Sequence, residues 1–348
     1  MYLDWLRGFA VAIMVEAHVV DAWTRGVDRE GLAYFVAVFL AGMAAPLFLF
    51  LAGVSLALAA SARAAKAGVD AAAASAAWRG AQVFALAFLF RLQSQLLGWG
   101  ALMNFLKVDI LNVMGLAMVG TAALWGLTSS RRGRLAILAM VTAGVAMLTP
   151  IVREAGWVAM LPDPIEWYLR PAAGRTTFTL FPWAAFLLAG AMVGELAAAA
   201  PSVREERRLQ AALMACGLIG AALAYWASFQ PSIYPVSSFW TSSPTFFFLR
   251  LGLVTTLVPI AWACARLLPL SSAIETFGRS SLFVYWIHVE MVYGLVGRPL
   301  RRLLPLPVSL VATVALCALL YVIVQWKNRL MSGVELPRRL RILAPVLK

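Results

Sequence analysis

The sequence predicts an all-α fold, a polytopic integral membrane helical bundle of about ten transmembrane helices with the N-terminus and C-terminus both cytoplasmic. Three observations carry this. The 348 residues are 62% hydrophobic and only 13% charged, with a mean hydropathy of +0.83, whereas a soluble domain is about 25% charged. The apolar residues come in runs of about twenty, the length a helix needs to cross ~30 Å of hydrocarbon. The sequence also lacks the short alternating segments of an outer-membrane barrel, which leaves helices as the way to satisfy the backbone in lipid.

In chain order the expected spans are 3–23, 33–60, 79–98, 108–128, 133–151, 176–199, 208–229, 245–267, 278–297 and 306–326. Pro46 is expected to kink the second. With no soluble stretch, low-complexity tail or repeat between them, residues 1–348 read as a single transmembrane domain. The start reads as a span and not a cleavable signal, because it has no basic n-region and no small-residue cleavage site. The longest outer loop, 152–175, contains EAGWVAMLPDPIEWYLRP. Its Trp and Tyr suit the headgroup level, and a short helix lying over the outer mouth is expected there. The loop at 230–244, QPSIYPVSSFWTSSP, is uncharged. Both loops read as connectors in preference to caps over a cavity.

Lys and Arg set the orientation, since they gather in cytoplasmic loops. With the N-terminus inside, most of the 29 fall on inner loops and the tail: Arg63, Lys66 and Arg79; Arg131, Arg132 and Arg134; Arg204, Arg207 and Arg208; Arg266 and Arg279; then Lys327, Arg329, Arg338, Arg339, Arg341 and Lys348. The loop GRPLRRLLP at 297–305 runs against this bias. The same bias accounts for the net charge of +13, so no nucleic acid partner is expected and the lipid bilayer is. The three cysteines, Cys216, Cys264 and Cys317, lie in apolar runs without CxxC spacing, which argues against a disulfide framework or zinc.

The first span is unusual. LDWLRGFAVAIMVEAHVVDAW carries Asp4, Arg7, Glu16, His18 and Asp21, and ionisable groups in hydrocarbon cost a few kcal/mol each on insertion scales. At 100° per residue, Asp4, Arg7, His18 and Asp21 share one stripe and Glu16 points nearly opposite. Arg7 and His18 are about 16 Å apart along the axis, which places Arg7 near the inner surface and His18 in the outer half. Snorkelling explains Arg7 alone. A helix with four aligned ionisable groups more often marks a pathway or a site.

Other spans add polar groups at similar depth: Arg91 with Gln93 and Gln95, Arg250 near an outer end, Asp109 and Asn112 opening the fourth span, and His288 near mid-membrane. His288 reads equally as a hydrogen bond to a neighbouring helix and as a substrate contact. No HxxH, HxxxH or HExxH spacing appears, so no metal site is expected.

Arg7 followed by ten residues and His18 resembles the Arg-x10-His pattern of the membrane-bound acyltransferase-3 families. The opening LDWLRGFAV looks like the start of the heparan-alpha-glucosaminide N-acetyltransferase-like membrane domain family. Further segments resemble the same group in order: APLFLFLAGVSL at 45–56, VDILNVMGLA at 108–117, LFPWAAFLLAGAMVGE at 180–195 and FGRSSLFVYWIHVEMVYG at 277–294. The resemblance implies a ten-helix domain of the cell (inner) membrane that takes an acyl group, acetyl above all, from cytoplasmic acyl-CoA. It implies delivery to a hydroxyl or amine of a sugar or envelope glycan at the outer side, with His18 catalytic and Arg7 holding the donor.

Acyl transfer needs a base at the attacking group and donors for the oxyanion. His18 supplies the base or a transient acyl carrier, with Asp21 one turn away to orient it and Asp109 as an alternative. Arg7, Arg79 and Arg91 suit the phosphates of acetyl-CoA. Asn112, Arg250 and His288 are left for the acceptor, with Arg91 or His288 also placed to stabilise the oxyanion. A proton-coupled transporter or permease would use the same buried His, Asp and Arg groups as a relay. An apolar helix face could also support a homodimer.

Overall fold

Apolar runs fold as helices throughout the computed structural model, which describes residues 2–98, 105–268, 271–332 and 346. The tail residues Arg338, Arg339, Arg341 and Lys348 lie outside the described residues. The α-helices are α1 (Tyr2–Trp23), α2 (Gly31–Ala41), α3 (Ala44–Ala67), α4 (Val69–Gly98), α5 (Ile110–Gly126), α6 (Arg131–Glu154), α7 (Asp163–Leu169), α8 (Leu180–Ala198), α9 (Val203–Ala227), α10 (Pro244–Leu267), α11 (Ser271–Arg279), α12 (Ser281–Tyr293) and α13 (Leu306–Met331). No strand occurs among the described residues, only isolated bridges at Thr24–Leu304 and Val108–Thr176.

Seven helical stretches among the described residues are long and apolar enough to cross a membrane: 31–67, 69–96, α6, α8, α9, α10 and α13. This is a multi-pass membrane protein. The other three expected spans are helical but differ. α1 has 22 residues but carries four charged groups, Asp4, Arg7, Glu16 and Asp21. α5 is apolar but has 17 residues. The ninth expected span, 278–297, is divided at Ser280, whose backbone leaves the helical region (φ −99°, ψ 18°), and its main piece, α12, has 13 residues. At 1.5 Å per residue that is about 20 Å, short of the bilayer core.

The second span also departs from expectation. It breaks at Gly42–Met43, between α2 and α3, instead of bending at Pro46. Pro46 falls in the first turn of α3, where an N–H has no intrahelical partner in any case and proline is tolerated. The expected short helix in the 152–175 loop is present as α7, preceded by a 3-10 turn at Gly156–Met160.

The chain divides into two compact units. The first comprises the described parts of Met1–Leu47, Gln93–Gly100 and Ile260–Lys348. Here α1 packs along α11, α12 and α13. A β-carbon on Gly8 would lie 2.0 Å from the Ile274 carbonyl oxygen, and one on Gly278 would lie 1.9 Å from that of Asp4. α1 and α11 therefore touch backbone to backbone, the close approach that small residues allow in membrane interiors. At the far end of α1, Trp23 Nε1 donates to the Val292 carbonyl at 3.1 Å and the Thr24 hydroxyl to Ser309 at 3.0 Å.

The second unit comprises the described parts of Phe48–Leu92 and Ala101–Pro259. α8 is its centre, packed on α5, α6 and α9. Gly53 and Gly190 again bring backbones together: their β-carbons would lie 1.9 Å from the carbonyl oxygens of Leu187 and Phe50. Below this contact Glu195 is buried, 2% exposed. Its Oε1 accepts from Trp125 Nε1 at 2.5 Å and from Ser61 Oγ at 2.8 Å. The buried Arg134 guanidinium lies 3.8 Å from its other oxygen and 3.5 Å above the Trp125 ring. Arg134 Nε also donates to the carbonyls of Trp125 and Thr128, which end α5. One carboxylate thus ties α3, α5 and α6 to α8. Glu195→Ala strands the Arg134 charge, and removing one partner of a buried ion pair costs about 3–5 kcal/mol. Thermal unfolding in detergent is expected to show a large fall in midpoint, with Glu195→Gln intermediate because it keeps an acceptor oxygen.

Candidate functional site

The ionisable stripe of α1 meets α12 near its C-terminal end. His18 Nδ1 and His288 Nε2 lie 2.7 Å apart, with the rings 4.9 Å centroid to centroid and inclined by 29°. His288 is fully buried (0% exposed), and its Nδ1 lies 2.7 Å from the Val284 carbonyl oxygen one turn back on α12. A carbonyl only accepts, so His288 carries its proton on Nδ1. Its Nε2 is then the acceptor in the neutral ring. His18 Nδ1 must donate to it, which leaves the lone pair of neutral His18 on Nε2. A chain of two bonds, anchored on one backbone carbonyl, thereby selects the tautomer of His18.

Tyr293, at the last turn of α12, completes the cluster. Its ring packs edge-on to His18 at 5.6 Å, and its hydroxyl donates to Asp21 Oδ2 at 2.8 Å. Asp21 is 63% exposed at its side chain and also faces Arg29, which lies 3.9 Å away and donates to its backbone carbonyl. α12 stops here because Gly294 approaches Glu290 so closely that a β-carbon would lie 2.3 Å from the Glu290 carbonyl oxygen. Tyr285 flanks His288 at 6.0 Å, and the neighbouring Trp286 donates to Gln93.

At the other end of α1, Arg7 donates to Asp4 at 2.8 Å. Arg279 of α11 lies 3.8 Å from the same carboxylate and bonds Glu275 at 3.0 Å. Two guanidiniums and two carboxylates share this end, with Arg279 60% exposed.

The remaining expected site residues belong to the second unit. Asp109 caps α5: its Oδ1 accepts from Ile110 N at 2.7 Å, and Asn112 Oδ1 accepts from Asp109 N at 3.1 Å, a reciprocal capping box. Arg91 donates to the same carboxylate at 2.6 Å. Asn112 is buried and bonds Tyr168 of α7, whose phenol burial pushes upward. The four side chains form one connected polar cluster, in which the buried Arg91 Nε has no acceptor. Arg79 is exposed on α4. Arg250 lies 4.0 Å over the Phe246 ring, at a cavity to which both of the long loops contribute: Pro171 from 152–175, Trp240 and Thr241 from 230–244. The loops are therefore more than the connectors expected of them. Among the described residues, no three His, Cys, Asp or Glu side chains gather in a group that could hold a metal ion.

Comparison with protein families matches residues 1–231 to the family described as heparan-alpha-glucosaminide N-acetyltransferase, catalytic. The chain belongs to that family. The match spans two-thirds of the chain and includes Arg7, His18 and Asp21, whereas His288 and Tyr293 lie beyond it. A comparison with curated proteins finds no match. Membership in the heparan-alpha-glucosaminide N-acetyltransferase family makes this a membrane protein of acetyltransferase type, and acetyl-CoA is the donor that the family uses.

The sequence shows the stripe that carries His18 but names no side chain that meets it. Of the two readings of His288, the hydrogen bond to a neighbouring helix is the one present, and Tyr293, which carries no signal of its own in the sequence, joins it. In uniformly nitrogen-15-labelled protein, NMR at pH 7.5 is expected to show both histidines protonated at Nδ1. His288→Ala should release His18 from that tautomer, giving mixed signals without a change in helical content by circular dichroism.

Proposed function

We propose that residues 1–348 form one transmembrane acyltransferase domain of the cell (inner) membrane, with both termini cytoplasmic. It moves an acetyl group from cytoplasmic acetyl-CoA to a hydroxyl or amine of a sugar or glycan at the outer side. The observation that carries this is the His18–His288 pair, which presents an unprotonated Nε2 on a family-matched helix.

The chemistry follows from that atom. As the acceptor oxygen or nitrogen attacks the thioester carbonyl, His18 Nε2 takes its proton. The imidazolium so formed keeps its Nδ1–H on His288 Nε2, and the Val284 carbonyl fixes His288 in turn. A neutral ring stabilises the charge less than the carboxylate of a serine-protease triad, and Tyr293, held by Asp21, adds an oriented dipole beside it. Collapse of the tetrahedral intermediate expels the CoA thiolate, which leaves with one proton. The alternative sequence, in which His18 Nε2 itself accepts the acetyl group before passing it on, uses the same lone pair. At the other end of α1, Arg7 and Arg279 would hold donor phosphates by exchanging Asp4 for them.

A proton relay in a transporter is the second reading, and the His18–His288 bond favours it too, since it offers a path for a proton. The two part on stoichiometry. Acceptor-dependent release of CoA thiol supports transfer, whereas counterflow of labelled solute in liposomes without acyl-CoA supports transport.

Calorimetric titration of acetyl-CoA into the detergent-solubilised protein is expected to show saturable binding. It should weaken about tenfold in Arg7→Ala and be kept in His18→Ala. Turnover in His18→Ala should fall by roughly 10²–10⁴, the range of a lost general base, and wild-type activity in that variant would refute the assignment.

A further inference from the structure

The second unit holds a cavity of about 260 Å³ that the reaction above does not use. Three helix ends meet there: the last turn of α6 with Arg153, the start of α8 with Trp183 and Phe186, and the start of α10 with Phe246 and Arg250. Trp240 closes it from the 230–244 loop. Among the described residues its lining includes two guanidiniums and no carboxylate. Arg153 gives one long bond, 3.4 Å, to the Phe181 carbonyl, and Arg250 rests on the face of Phe246. The Nε–H of each is buried without an acceptor. Two like charges with unfilled buried donors, facing one space, call for an anion. The starts of α8 and α10 turn the positive ends of their dipoles to the same region, against the negative end of α6, beside which Arg153 sits.

The walls say what carries the anion. The tryptophan and phenylalanine faces stack on ring carbons, and Thr177 and Thr241 add hydroxyls beside them. The volume is below the ~300–1,000 Å³ of drug-sized pockets. It suits one ring with a small charged group and excludes a molecule as large as coenzyme A.

We infer that this cavity binds a single sugar-sized ring bearing a phosphate or carboxylate, gripped by Arg153 and Arg250 and packed against the aromatic lining that includes Trp183 and Trp240. The ring reaches it as a free sugar anion or as the headgroup of an inositol-type lipid, which present the same chemistry. The site stands independently of acyl transfer at His18.

The test uses full-length protein in zwitterionic nanodiscs, titrated calorimetrically without acyl-CoA. Glucose 1-phosphate and glucuronate are expected to bind saturably, at least tenfold tighter than glucose or inorganic phosphate. Arg250→Gln should weaken glucose 1-phosphate about tenfold, Arg153→Gln similarly, and Arg250→Lys less. Because ring-against-anion discrimination is read on the wild type, a misfolded variant leaves the test intact. Weaker apparent binding in nanodiscs containing phosphatidylinositol would support the site and identify the lipid as its source; unchanged binding would identify the free sugar. Equal binding of glucose and glucose 1-phosphate, no binding of either anion, or wild-type affinity in a folded Arg250→Gln would overturn the proposal.

Discussion

Glu195 lies 2% exposed among apolar helices, and it is tolerable there because donors from α3, α5 and α6 converge on it. A charge taken out of water must find partners, and for Glu195 the partners come from other helices. The same constraint explains Asp109, which caps its own helix and holds Arg91. It explains Asp4, shared between Arg7 and Arg279. Side-chain packing between near-equivalent apolar helices discriminates poorly, because lipid is as apolar as leucine. These polar contacts, together with the glycine approaches at Gly53 and Gly190, are what select one arrangement within a unit.

The histidine pair is the neutral form of that rule. Two imidazoles meet ring to ring, and the tautomers that satisfy their shared bond leave both neutral. The neutral pair keeps a lone pair in place, the state that a general base needs before its substrate arrives. Structural economy and catalytic readiness ask for the same arrangement here, and the Val284 carbonyl is what makes them coincide.

Much of this was legible in the sequence, and the limits have physical causes. Helix positions followed from apolar runs, because a backbone in lipid has few alternatives. The breaks at Gly42–Met43 and Ser280 did not, since an apolar run reads the same whether the chain continues or turns within it. The stripe on α1 identified the face of His18, but a helical period names no partner, and His288 is 270 residues away. Asp109 and Asn112 carried a local signal, a capping residue three positions before a second polar side chain, and it competed with a chemical reading of the same two residues. The arginine cavity needed three helix ends and a loop to coincide, which no single segment announces.

The backbone contact of α1 with α11 has a mechanical consequence. With Gly8 against Ile274 and Gly278 against Asp4, no layer of side chains lies between these helices to shear. They form a welded spine. α12 continues from that spine after one non-helical residue, Ser280, and His288 sits eight residues beyond it. That is a lever arm of about 12 Å, so a turn of roughly 5° at Ser280 carries the ring about 1 Å, enough to stretch a 2.7 Å hydrogen bond past breaking. The contact between His18 and His288 is thereby geared to the angle at which α12 leaves α11.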